Sequence, residues 1–517
     1  TLDAAQYNTA VGINAMDAIT TGDRNTAIGY NALTSNTSGN ENTALGMWAL
    51  NTNTTGIENT ALGSRTLYSN DSGGYNTALG YYALYYNTTG SGNTALGSRT
   101  LIKNTTGTLN TAMGTRALQE NITGTENTAT GYYALRLNTT GDYNTASGSR
   151  SLYSNTTGDQ NTALGYRSLY TNDKSDYNVA LGYGALESHT GGVSAPYSYA
   201  TAVGYQALND NTDGENNTAL GYRALKLNTT GDRNIGIGDG ALDAADTEND
   251  NIAIGYNALG GAINGGEFNV AIGNNALDSN TSGDDNISIG YNALTSNSTG
   301  AVNVAIGKNA LDANTEGGSN TAIGWNALSA NTTSNNNTAV GRQALGASTG
   351  ASNTAMGYRA GNTIVAGTNN VAIGMNADVD AAGAANRIVI GKGASGTADN
   401  TAVIGNTDII GWLPPDDNGV DLGTSSLEFK DVYVDGVTYT DALGFGTVAM
   451  TLPTADGSAN QVLKTDGSGT LAWVNNSGVA GGIDDLSDGK IGGTDFTGSM
   501  ILGHQTTGTL DAATYNT

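Results

Sequence analysis

The sequence predicts an all-β protein: a parallel β-roll or solenoid of about 24 coils with a 17-residue repeat, followed by a β-rich shaft segment. Three observations carry that prediction. A glycine recurs every 17 residues, through Gly12, Gly29, Gly46 and Gly63 to Gly182, and the series resumes at Gly204 and runs to Gly405. Ala stands two residues before that glycine in 20 of the 24 units, within the signature N-T-A-x-G. A helical period is absent, and Asn, Thr and Gly are poor helix fillers.

A full unit reads N-T-A-x-G-x-x-A-L-x-x-N-T-T-G-x-x, as in residues 25–41, NTAIGYNALTSNTSGNE. It holds two short apolar segments, each of a length that suits a short strand and each followed by a turn. The repeat glycine reaches φ > 0 without steric cost and turns the coil sharply. The N-T-T-G stretch supplies a second corner, where Asn and Thr side chains bond their own turn backbone. Identical Asn or Thr residues stacked on successive coils are placed to form ladders, as in cross-β stacks. N-T-T also matches a glycosylation acceptor, but at every repeat the Asn reads as a turn residue.

Neighbouring residues on a strand point to opposite faces, so the alanine and the Ile, Leu or Val after it lie on different sides. The Ala face suits a narrow interior. Ile28, Leu45 and Leu62 then need another partner, as does the further stripe of Leu33, Leu50 and Leu67. A single thin coil is expected not to bury both stripes, and both are predicted to line an interface between copies of the chain. At about 4.8 Å per coil, the array makes a rod of roughly 115 Å.

Composition excludes several function classes. Asp plus Glu number 46 against 20 Lys plus Arg, a formal net charge of -26, which argues against a nucleic-acid partner. With 0 Cys there is no disulfide framework, thiolate chemistry or Cys-based zinc site. No apolar run is long enough to insert in a membrane. The opening TLDAAQYNT returns at 509–517 as TLDAATYNT, which predicts further fibre modules at both ends.

The two positions after the repeat glycine often hold an aromatic or an arginine. Candidate surface contacts there are Trp48, Arg65, Tyr82, Arg99, Arg116, Tyr133, Arg150, Arg167, Arg223 and Trp325. Such a ladder can stack on sugar rings or pair with anionic groups, and it can equally cover apolar edges while its tips stay wet. The insert 187–199, ESHTGGVSAPYSY, lengthens one coil and adds Tyr197 and Tyr199 as contact candidates. His189 in the insert has no partner triad and is not read as catalytic. Asp246 with Asp250, and Asp284 with Asp285, read as solvated turns, since no turn matches a calcium loop. No catalytic, cofactor or metal residues are assigned, and a glycosidase would need a paired-carboxylate cleft that an Ala-lined coil does not offer.

After Gly405 the repeat fades, and the Pro pair in WLPPDDNG at 412–419 marks a boundary. The predicted organisation is a repeat array over 1–411, a β-rich shaft over 412–474, a Gly/Asp-rich stalk over 475–508 and the start of a further repeat unit at 509–517. The N-T-A-x-G-x-x-A-L-x-x-N-T-T-G unit resembles repeats of phage tail-fibre and bacterial surface-fibre proteins. It is more distantly similar to the β-roll heads of trimeric autotransporter adhesins. LGTSSLEFKDVYVDG at 422–436 and LPTADGSANQVLKTDGSGTLAWV at 452–474 resemble tail-fibre shaft motifs. The resemblance implies a parallel homotrimer outside the cell, on a virion tail or bacterial surface, that attaches to a host or surface receptor such as a glycan. The alternative is a purely structural spacer or filament subunit with no binding of its own.

Overall fold

The computed structural model describes residues 5–191 and 197–409 and, in the C-terminal part, most of 442–475. The chain divides into two compact units, Thr1–Trp412 and Leu413–Thr517. In the second unit, Ala442–Phe445 pairs antiparallel with Val448–Thr451, and Gln461–Thr465 with Leu471–Asn475. Trp473 Nε1 donates to the Ala455 carbonyl at 2.9 Å. Pro196, the shaft motif at 422–436, the stalk after residue 475 and the repeat at 509–517 lie outside the described residues.

The first unit is a parallel β-solenoid. Each coil contributes one strand of three residues to a common sheet, such as Thr77–Leu79, and 24 such strands form it. Every strand pairs in parallel with its equivalent on the next coil: Thr77 faces Thr94, Ala78 faces Ala95 and Leu79 faces Leu96. The register survives changes of coil length. Val179 pairs with Thr201 across the long insert, Ile252 with Val270 across one added residue, and Thr338 with Thr354 across one deletion. Extra residues therefore leave the strand column intact and are absorbed in the turns.

Up to the last coils the second apolar segment is not a strand, which corrects the two-strand reading of the repeat; only Asp378–Val379 and Ser395–Gly396 pair there, in parallel, among the described residues. Elsewhere it is a run of turns in which residues take left-handed backbone angles. In the coil Asn76–Gly92 these are Tyr82 at φ 58° and Leu84 at φ 52°. A third such residue closes most coils, as Tyr75 does at φ 61°. A left-handed L-residue costs about 1–2 kcal/mol, and more when β-branched. The sequence accommodates this: Val302 is the one β-branched residue with positive φ among the described residues. Asn, Arg, Tyr and Leu, none of them branched at Cβ, are frequent at these positions instead. Hydrogen bonds between coils offset the cost, since Leu84 N–H donates to Thr100 O at 3.0 Å and Tyr86 N–H to Ile102 O at 3.0 Å. Backbone pairing between coils thus continues outside the sheet.

The left-handed turn also decides where the leucines go. Leu33, Leu50 and Leu67 are fully buried inside their own coils, together with Ala27, Ala44 and Ala61. They expose no surface to a second chain, so their assignment to an oligomer interface is corrected: they form the core. Ile28, Leu45 and Leu62 point outward from the sheet and remain 39–41% exposed. The alternation rule held on the three-residue strand and failed beyond it, because the left-handed turns after the glycine break the extended path on which alternation depends.

Two asparagine ladders complete the interior. Asn76 Nδ2 donates to Asn59 Oδ1 at 3.0 Å, and Asn76 N–H reaches the same oxygen at 3.0 Å. In the N-T-T-G corner, Asn87 Nδ2 donates to Asn70 Oδ1 at 2.8 Å. Both ladders converge on one glycine carbonyl, since Gly90 O accepts from Asn76 at 2.9 Å and from Asn87 at 2.8 Å. A Cβ on Gly90 would stand 2.4 Å from Asn87 Oδ1 and 2.5 Å from Gly107 O, so glycine relieves a tight corner here, while Ser175, Glu248, Ser334 and Ala384 present the equivalent carbonyl in other coils. The N-T-T asparagines Asn53, Asn87, Asn104 and Asn138 are fully buried with their amides engaged, and in the folded solenoid they are no glycan acceptors.

Candidate functional site

Stacking in register places equivalent residues of successive coils next to each other. The positions after the repeat glycine therefore become continuous rows on the surface. The residue two after the glycine is left-handed in coil after coil: Trp48, Arg65, Tyr82, Arg99, Arg116, Tyr133, Arg150, Arg167 and Arg223 have φ between 53° and 60°. The turn aims these side chains outward beside the tyrosines of the preceding position, of which Tyr81, Tyr132 and Tyr166 are exposed.

The rows interlock. The Arg65 guanidinium lies 4.5 Å from the Trp48 ring and 5.3 Å from Tyr82, and it donates to the Tyr82 hydroxyl. That bond favours the phenolate and lowers the Tyr82 pKa, while it raises that of Arg65. Arg116 lies 5.5 Å from Tyr133 and donates to its hydroxyl. Tyr166 and Tyr183 stack at 5.2 Å, Tyr183 and Tyr205 at 5.3 Å, and Tyr205 and Tyr222 at 5.2 Å. Arg223 sits over Tyr222 at 5.1 Å. Arg167 lies 4.5 Å from Tyr170 and pairs with Glu187 at 3.0 Å.

Two of the candidates stand elsewhere. Tyr199 stacks on Tyr177 at 5.3 Å and Tyr197 lies 5.7 Å from Tyr177, all three near the turn that closes the coil. Trp325 belongs to a separate group further along, with Arg342 at 4.1 Å, and Arg342 also reaches Tyr358 at 5.7 Å. Sequence reasoning missed Arg136, Tyr68, Tyr85, Tyr153 and Tyr170, which follow the interior leucine. Tyr68 stacks on Tyr85 at 5.0 Å and Tyr153 on Tyr170 at 5.1 Å, while Arg136 lies between Tyr133 at 4.9 Å and Tyr153 at 5.4 Å. The same 17-residue spacing marks them, and inspection of the position after the leucine finds them.

His189 is interior. It occupies the slot of an Asn in the corner ladder, with Nδ1 3.0 Å from Asn211 Nδ2. Nδ1 faces an amide N–H₂, so it accepts and the proton sits on Nε2. Nε2 and the Asn172 Oδ1 of the preceding coil have no partner. Burial pushes the His189 pKa down to about 4. At the far end of the array Arg387 takes the slot after Asn370. Its Nη1 meets Asp380 at 2.6 Å and Gly396 O at 2.8 Å, and its Nε meets Asp399 at 2.8 Å. Asp250 pairs with Arg233 at 2.7 Å, and Asp284 accepts from Glu267 N–H at 2.9 Å, so these turn carboxylates are engaged within the fold.

Among the described residues no group of three or more His, Asp or Glu side chains is placed to hold a metal ion. Also among the described residues, no helix is long and apolar enough to cross a membrane. The chain matches no known protein family and no curated protein. Fold and surface together define a class: a β-solenoid repeat protein with an interior filled by Ala, Leu and Asn.

Proposed function

We propose that the chain is a shaft module of an extracellular fibre, on a virion tail or a bacterial surface, and that it serves as a structural spacer assembled from parallel copies of itself. The observation that carries this reading is the outer face of the 24-stranded sheet. It presents Ile28, Leu45 and Leu62 in one row, and from Ile235 to Ile306 both outward positions of each strand are aliphatic. Three residues at about 3.3 Å and 23 steps at about 4.8 Å give a face of about 1,100 Å². A stable interface needs about 800 Å² from each partner. A trimer about the fibre axis closes such faces without leaving a free edge, and the tail-fibre-like motifs read from the sequence favour that setting.

Sedimentation of the full chain, with Ile254→Lys/Ile272→Lys as the control, tests this. A trimer that the double variant converts to a folded monomer is expected. A wild-type monomer at low micromolar concentration removes the assembly, and a compact particle in electron micrographs removes the rod. Attachment to a surface glycan is a second reading, favoured by the Arg and Tyr rows, which lie outside the sheet face and stay accessible in such an assembly.

A further inference from the structure

We propose that the Arg/Tyr face of seven consecutive coils, residues 64–69, 81–86, 98–103, 115–120, 132–137, 149–154 and 166–171, is a binding track for a linear anionic polysaccharide, whose carboxylates or sulfates meet the guanidinium row. The proposal rests on the glycan-attachment reading and names the ligand class.

Charge is the first support. In a chain of net charge -26, these segments hold six arginines and Lys103 against one carboxylate, Glu120. That carboxylate is neutralised by Lys103. The same segments hold ten tyrosines. The acids of these coils gather instead on the turns beyond the Asn corner, as Glu126, Asp142, Asp159 and Asp176 do. A net positive strip on an acidic rod attracts a polyanion locally and repels one elsewhere.

The second support is conformational. Five of the arginines occupy a left-handed position: Arg65, Arg99, Arg116, Arg150 and Arg167, with φ between 56° and 59°. Asn tolerates that conformation better than any residue but glycine. In the later coils the equivalent positions are Asn257, Asn275, Asn292, Asn309 and Asn326. The fold therefore works with Asn there, and arginine at this position in five of the seven coils is not what the backbone favours. A function for the guanidinium row accounts for the exchange.

The third support is pre-organisation. Backbone bonds between coils fix the stems, with Arg65 N–H to Met47 O at 2.9 Å, Arg99 N–H to Tyr81 O at 2.9 Å and Arg150 N–H to Tyr132 O at 2.9 Å. Ring stacking fixes the planes, as with Arg65 on Trp48 and Arg136 between Tyr133 and Tyr153. A guanidinium held this way loses little entropy on binding and offers a planar fork to a carboxylate or sulfate. The coil rise of about 4.8 Å is close to the advance of one pyranose in an extended chain, so successive coils can meet successive sugars. Exposed tyrosines such as Tyr81 and Tyr132 provide ring surface for the sugar C–H faces. A single-stranded nucleic acid would meet the same cations and the same net charge, so direct comparison with an oligonucleotide separates the two ligand classes.

The test uses the full chain with polymannuronate, dextran sulfate, neutral dextran and single-stranded oligonucleotide, measured by biolayer interferometry. Wild type should bind a polyanionic glycan, weaken as salt rises from about 50 to about 200 mM, and ignore neutral dextran. Preference between polymannuronate and dextran sulfate separates carboxylate from sulfate. Arg65→Asn/Arg99→Asn/Arg116→Asn/Arg150→Asn installs the residue of the later coils and should weaken binding about tenfold, with unchanged melting. Protection of these arginines from phenylglyoxal by polymannuronate gives a second readout on the unmutated chain. Lack of binding to either polyanion, equal binding by the folded quadruple variant, or no phenylglyoxal protection overturns the track. Tighter binding to the oligonucleotide overturns the ligand class. Binding to intact surfaces or neutral glycans without polyanion binding overturns the track alone and leaves the attachment reading standing.

Discussion

Asn87→Ala is expected to loosen the array at one point, and the structure sets the size of the effect. Asn87 Nδ2 donates to Asn70 Oδ1 and to Gly90 O, both at 2.8 Å, and its Oδ1 accepts from Asn104 Nδ2 at 2.7 Å. Alanine removes all three bonds. Gly90 O keeps its bond from Asn76 at 2.9 Å, and Asn104 Nδ2 keeps Gly107 O at 3.0 Å. Asn70 Oδ1 is left buried without a donor. Three bonds at about 1 kcal/mol net, with a further cost of about 1–3 kcal/mol for the orphaned acceptor, place the loss at about 3–5 kcal/mol once overlap is allowed for. Because each coil touches only its neighbours, the loss should be local. Hydrogen exchange read by mass spectrometry should show lost protection in peptides covering 70–107 and none in peptides covering 287–340. Thr88→Ala is the control: its Oγ1 bond to Thr105 O at 3.0 Å is half-exposed, and less than about 1 kcal/mol is expected. Asn87→Ala with wild-type exchange and an unchanged urea midpoint would refute the claim that the ladder stabilises the coil stack.

Three further outcomes are expected. Leu84→Ile keeps volume but puts a β-branched side chain at φ 52°, and should cost about 1–2 kcal/mol by urea unfolding, whereas Leu79→Ile on the strand should be near neutral. Gly97→Val meets a backbone at φ +134° and a Cβ 2.9 Å from both Gly114 C and Gly114 O, so a loss of several kcal/mol confined to adjacent coils is expected, and unchanged local exchange would show that this glycine is no corner. His189 has a folded pKa of about 4 against 6.5 for the ordinary group, so the unfolded chain binds the extra proton. Its contribution is complete above pH 6.5 and is lost as pH falls towards 4, in total about 3 kcal/mol. Asn211 faces the ring at 3.0 Å, and burial alone accounts for the shift. The difference in exchange between wild type and His189→Asn over residues 178–211 should appear between pH 6.5 and pH 4 and vanish above it; a pH-independent difference would count against a buried neutral ring.

Period, register and the small interior were legible in the sequence. The spacing from Gly12 to Gly405 sets which residues stack, and the Ala two before each glycine announces a narrow core. Stacked Asn was legible as a ladder, because identical amides one coil apart can pair donor to acceptor. The rows of Trp48, Arg65 and Tyr82 followed from the same spacing. What the tertiary structure alone decided is the path of the chain between strands. The expectation that a thin coil cannot bury every apolar stripe put Leu33, Leu50 and Leu67 at an interface, yet at φ 52°, 49° and 50° they point inward and are fully buried. That conformation is unfavourable for an isolated residue. It is selected because the left-handed turn places the N–H of each of these leucines against a carbonyl of the next coil, as Leu33 N–H meets Ala49 O at 2.9 Å. The partner is 16 residues away, so no single repeat read by local propensity contains the reason; only the stack does, and the absence of β-branched residues at those turns is its trace in the sequence.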